Sequence, residues 1–141
     1  MKKYLIALFI LFSPASAFAL SCVFMTPEDA KSHYPVAVRG VVVSSTKIAG
    51  GEETPNSAFL RGAQEVKMTV SHSRGVEGEN VVFTEALTIY DPTSRFREGG
   101  DYVVFLEQPE WGGYRFPVCG YAFSPSQSGV EWDEVRQVMG W

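Results

Sequence analysis

The chain has 141 residues, 45% hydrophobic and 20% charged, which suits one globular domain and is too short for two comfortable ones. Frequent Phe and 13 Gly favour a β-rich fold with many turns over a helical bundle. The formal charge is −4 and no stripe of Lys and Arg is present to neutralise phosphates, which argues against a nucleic-acid-binding surface.

The first residues read as a secretory signal peptide. Met1-Lys2-Lys3 is basic, residues 4–12 are an apolar run too short to span a bilayer, and Ser13-Pro14 breaks it. Ala17-Phe18-Ala19 fits the small-residue cleavage rule, so residues 1–19 are the expected signal, with Ala17 the next choice of cleavage point. Residues 20–141 are then a single exported domain, secreted or periplasmic, with no membrane span. Loss of Lys2 and Lys3 leaves ten basic against 16 acidic residues, a net charge of −6. Lipidation at Cys22 is the minor alternative. Ala19 stands where an acylation motif usually has Leu, and acylation would strand Cys119 as a lone thiol.

Thr26-Pro27-Glu28-Asp29 reads as a helix start: Thr26 caps, Pro27 fits the first turn and Asp29 returns a bond. Tyr34-Pro35 ends the helix. Residues 36–45 form a β-branched strand with Gly40 marking a bulge or bend, and 46–62 form a long loop. In the strand 64–72, Val66, Met68, Val70 and His72 face one way, and Glu65, Lys67, Thr69 and Ser71 the other. Residues 80–84 and 87–90 are one interrupted strand or two short ones, followed by a turn at 91–94.

The segment 96–120 is expected to be a turn, a strand, a glycine loop and a closing strand. Tyr102, Val104 and Leu106 share one face, Val103 and Phe105 the other, as in a central strand buried on both sides. Trp111-Gly112-Gly113 makes the loop. Tyr114, Phe116 and Val118 share a face of the last strand, which Pro117 confines to an edge or makes irregular. Residues 130–139 form a helix, capped by Ser128 with Glu131, that presents Trp132, Val135, Val138 and Met139 to the sheet or to an open barrel end.

No catalytic, cofactor or metal constellation emerges. His33 and His72 lie in different elements without ligand spacing, and His72 reads as a structural residue on an apolar face. No serine has a G-x-S-x-G context, Glu52-Glu53 reads as solvated surface, and nothing marks Glu85 and Asp91 as a catalytic pair. Cys22 and Cys119 are the only cysteines, and an even count in an exported chain favours a disulfide between them. It would close a loop of roughly 98 residues, which the chain-entropy estimate values at about 4–5 kcal/mol at most.

The order of these pieces resembles the inhibitor-like domain shared by tissue inhibitors of metalloproteinases and netrin C-terminal modules, in a short bacterial exported form. The resemblance runs over most of residues 22–120: Cys22, the helix 27–33, the strand 36–43, VKMTVSHSRGVEG at 66–78, and FREGGDYVVFLEQPEWGGYRFPVCG at 96–120. It implies a small five-stranded OB-like β-barrel with helices beside it, and Cys22 and Cys119 as the disulfide. Leu20-Ser21 precede Cys22 after the expected cleavage, and Phe24 stands where the family has the second cysteine of its C-x-C start. No inhibitory residue is carried over. The expectation is a non-catalytic domain that binds an envelope or extracellular protein without a cofactor. Metalloprotease inhibition through the N-terminal segment comes second, and an enzyme with a loop-built site third.

Overall fold

The computed structural model describes residues 24–48, 60–88 and 92–141. The expected signal peptide, Cys22, Glu52-Glu53, Tyr90 and Asp91 lie outside these residues. The chain runs α1 (Pro27–His33), β1 (Val36–Ile48), β2 (Leu60–Arg74), β3 (Asn80–Thr88), β4 (Asp101–Leu106), β5 (Arg115–Phe116), β6 (Ala122–Phe123) and α2 (Gly129–Met139). The fold is mainly β, one curled sheet with helices packed beside it. Among the described residues no helix is long and apolar enough to cross a membrane.

The first helix forms as its sequence predicts. The Asp29 amide donates to Thr26 Oγ1 at 3.2 Å, and the Thr26 amide donates to Asp29 Oδ2 at 3.2 Å. The bonds from Thr26 hold the Asp29 carboxyl below its ordinary range. Tyr34, forced toward extended backbone by Pro35, ends the helix at φ −107° and ψ 131°.

Among the described residues the sheet has six strands in the order β5-β3-β2-β1-β4-β6, one more than expected. Only Arg115 and Phe116 of the expected 114–118 strand pair, because Pro117 has no amide to continue the ladder, and the extra strand is Ala122–Phe123 beside β4. Residues 80–88 form one continuous strand, and β1 and β2 are longer than expected. All ladders are antiparallel except that of β5 on β3, which is parallel. Beyond the end of β4, Glu107 and Arg115 exchange both backbone bonds, at 2.8 and 3.0 Å. The two-residue strand β5 thus touches β3 on one side and the continuation of β4 on the other.

Gly40 is where the sheet bends. A Cβ there would lie 2.2 Å from the Thr69 carbonyl oxygen, so only glycine lets β1 approach β2 this closely. The register shifts at the same point: Arg39 faces His72 while Gly40 faces Val70, leaving Ser71 as the extra residue of a bulge. A one-residue insertion reverses the sides of all that follows. Val66 and Met68 therefore point into the core, whereas His72 emerges on the opposite face with Arg39. The expected shared face of Val66, Met68, Val70 and His72 breaks after Val70.

Two apolar clusters sit on opposite faces of β4, whose last four residues are all buried. The inner one holds Val104 and Leu106 with Val38, Met68, Phe83, Phe96 and Phe116. The outer one holds Val103 and Phe105 with Ala37, Phe123, Ala30 and Tyr34 of the α1 segment, and Val135 of α2. The alternation in β4 is as the sequence predicts, and α2 docks through Trp132, Val135 and Met139 as expected, with Val138 outside the cluster. The helix packs on the outer sheet face, where Phe123 and Phe105 offer it apolar surface.

Candidate functional site

The two helices begin at a common groove of about 690 Å³, bordered by Phe24, Met25, Glu28, Tyr121, Val130 and Glu134 among others. Sequence distance hides this site, since α1 and α2 are brought together by the outer cluster of Ala30 and Val135 against β4. Phe24 is 92% exposed and Val130 78% exposed, the first just before the cap of α1 and the second in the first turn of α2.

At the groove wall the Tyr121 hydroxyl donates to Glu131 Oε1 at 2.6 Å. Burial first, then the bond to Glu131 and the charges of Glu131, Glu134 and Glu28, push the phenol far above its ordinary pKa. Glu131 is thus engaged with Tyr121, and the capping box expected at Ser128 is not formed: Ser128 is the N-cap but makes no side-chain cap bond. The sequence signal for a box was present. The competing phenol, ten residues before Glu131 on another element, was not legible in it.

His72 packs beside two indoles, with ring centroids 6.0 Å from Trp132 and 5.6 Å from Trp141, which are themselves 6.2 Å apart. The Arg39 guanidinium stacks 4.1 Å over Trp132 while Asp101 holds it with bonds of 2.9 and 3.4 Å. This cluster ties β1, β2, β4 and α2 together, a structural role for His72 on the outer face. His33 packs edge-on to Tyr34 at 4.9 Å on α1. The structure does not bring the two histidines into one site, and among the described residues no group of His, Cys, Asp and Glu is arranged to hold a metal ion.

Glu85 is buried, and it is fully engaged. Its carboxylate accepts from the Ser94 hydroxyl at 2.6 Å and from the Arg95 amide at 3.3 Å, with the Arg95 guanidinium 3.4 Å away. Those bonds fix the turn that seats Phe96 in the inner core, so the geometry around Glu85 is that of a latch. Cys119 is not a free thiol. Its expected partner, Cys22, lies outside the described residues, so the pairing is carried forward as a proposal. The chain matches no family model and no curated protein.

Proposed function

We propose that this chain is an exported OB-like barrel domain, stapled Cys22 to Cys119, that works by binding a protein and not by catalysis. The connection of β5 supports the barrel reading. Five strands in the order β1-β2-β3-β5-β4 lead from β1 back to β1, with the step from β5 to β4 made through Glu107 and Arg115. In that reading β6 is an added strand on the same side of β4 as the β5 contact.

One observation carries the binding reading. Phe24 and Val130, two of the most exposed large apolar side chains among the described residues, line the same concave groove. Single exposed apolar residues are ordinary on protein surfaces, whereas two bordering one concavity support a binding role for it. The test is capture from the native envelope with wild-type protein and with a Phe24→Ser/Val130→Ser variant, read by cross-linking. A partner held by the wild type and lost by the folded variant supports the reading; a partner held equally by both refutes the groove.

A second reading, metalloprotease inhibition through the N-terminal segment, draws on the position of Phe24 and Met25. They line the groove and lie immediately after the segment that contains Cys22. Slowing of zinc endopeptidases by the wild type at near-equal molar ratio, abolished by Cys22→Ser, would favour it. An unchanged rate across a protease panel would remove it.

A further inference from the structure

We propose that the groove at the helix starts takes a cationic peptide segment of its partner, with Lys or Arg beside a bulky apolar residue. The inference rests on the binding reading above and adds the chemistry of the occupant. Among the described residues three carboxylates, Glu28, Glu131 and Glu134, border the groove, and no Lys or Arg does. All three also act on the Tyr121 phenol at the groove wall, where burial and then these carboxylates raise its pKa. Two basic side chains of the helices are turned to other partners: Lys31 Nζ donates to the Val138 carbonyl at 2.7 Å, and Arg136 donates to Asp133 at 3.3 Å.

The helix starts themselves oppose this charge, and magnitudes decide the sign. Each helix N-terminus contributes at most about half a positive charge, so two supply about one. Three carboxylates outweigh that, and the bond from the neutral Tyr121 hydroxyl to Glu131 removes none of the negative charge. The groove therefore disfavours anions and attracts cations. Phe24, Met25 and Val130 add an apolar surface that a hydrated metal ion or a free polyamine would leave uncovered. A side chain pattern of cation next to hydrophobe satisfies both parts of the lining.

The test uses the mature full-length domain and three short fluorescein-labelled peptides of alternating residues: lysine with leucine, glutamate with leucine, and lysine with serine. Fluorescence anisotropy reads the affinity. The lysine–leucine peptide is expected to bind, with affinity falling as salt rises, and the other two to bind at least about tenfold more weakly. Glu28→Lys/Glu134→Lys, two exposed positions whose replacement leaves the core untouched, is expected to weaken binding of the lysine–leucine peptide about tenfold. Circular dichroism confirms that each variant is folded. Equal binding of the lysine–leucine and glutamate–leucine peptides, lost in Val130→Ser but not in the charge variant, overturns the cationic occupant and leaves the groove reading standing. Sedimentation as a dimer that Phe24→Ser dissolves, with no peptide bound, makes a second copy the occupant and also overturns the inference. No effect of any variant on any binding overturns both readings.

Discussion

Truncating Phe96 to alanine tests the inner core at its centre. Phe96 is 1% exposed, and its ring meets three others nearly at right angles: Phe83 at 5.2 Å, Phe116 at 5.1 Å and Tyr102 at 5.3 Å. Those partners belong to β3, β5 and β4, so one side chain joins the strands on both sides of the β5 contact. A buried Phe→Ala change costs about 3–5 kcal/mol, and the spread depends on how far the site collapses. Collapse is opposed here because the backbone is pinned: the Phe96 amide donates to Ser94 Oγ at 3.1 Å, and the Ser94 hydroxyl donates to the Glu85 carboxylate. The upper half of the range, about 4 kcal/mol, is therefore expected. The edge-to-face terms, about 1 kcal/mol each, are already contained in that figure and are not added to it. Urea unfolding followed by tryptophan fluorescence reads the effect. With a slope of about 2 kcal/mol per molar, the midpoint falls by about 2 M. A fall below about 0.5 M with the slope unchanged would show that Phe96 is not the junction of these strands.

Gly40→Ala is expected to destabilise by at least about 2 kcal/mol in the same assay, because the clash is with a backbone oxygen that cannot swing away. Gly129→Ala, where an added Cβ meets nothing within 4 Å, is the control and should be neutral or slightly stabilising. Alkaline pH should weaken the fold through Tyr121. Its folded pKa is raised, so its contribution is complete below the ordinary tyrosine range and is lost as pH rises above it. Tyr121→Phe should flatten that part of the stability profile, and tyrosinate absorbance should show Tyr121 and Tyr34 lagging the other tyrosines. A thiol reagent should find no free thiol in native protein and two after reduction and denaturation, with reduction lowering stability by up to about 4 kcal/mol. Unchanged stability on reduction would sink the Cys22–Cys119 staple.

What the sequence made legible follows the range of the interactions involved. The α1 start could be read because Thr26, Pro27 and Asp29 act within one turn. The double burial of β4 could be read because alternation along 102–106 is a local property of an unbroken strand. His72 was assigned to the wrong face for the opposite reason. Gly40 announced a bulge, but the residue inserted was Ser71 on the partner strand, and only pairing of the two strands fixes which side chain reverses. The closing strand was over-read. Tyr114, Phe116 and Val118 keep the right period, yet the proline between them limits pairing to Arg115–Phe116.

The groove lay beyond any such reading, and the reason bears on what it does. No periodicity points to it, because its two most exposed apolar residues, Phe24 and Val130, belong to neither core. Phe24 precedes the α1 cap, and Val130 sits on the first turn of α2, away from the face that Val135 buries. Each is unremarkable in its own segment. They meet only because Ala30 and Val135 seat both helices on Val103 and Phe105, placing two helix starts side by side. The outer face of β4 thus has two consequences from one set of contacts: it buries the helices, and it leaves their first turns facing a common space. Stability alone explains the buried residues. It also accounts for Glu28 and Glu131, which sit in first turns where the helix dipole favours a carboxylate, but it does not account for two exposed hydrophobes bordering one opening. That excess over what folding requires supports the proposal that the groove is a binding surface.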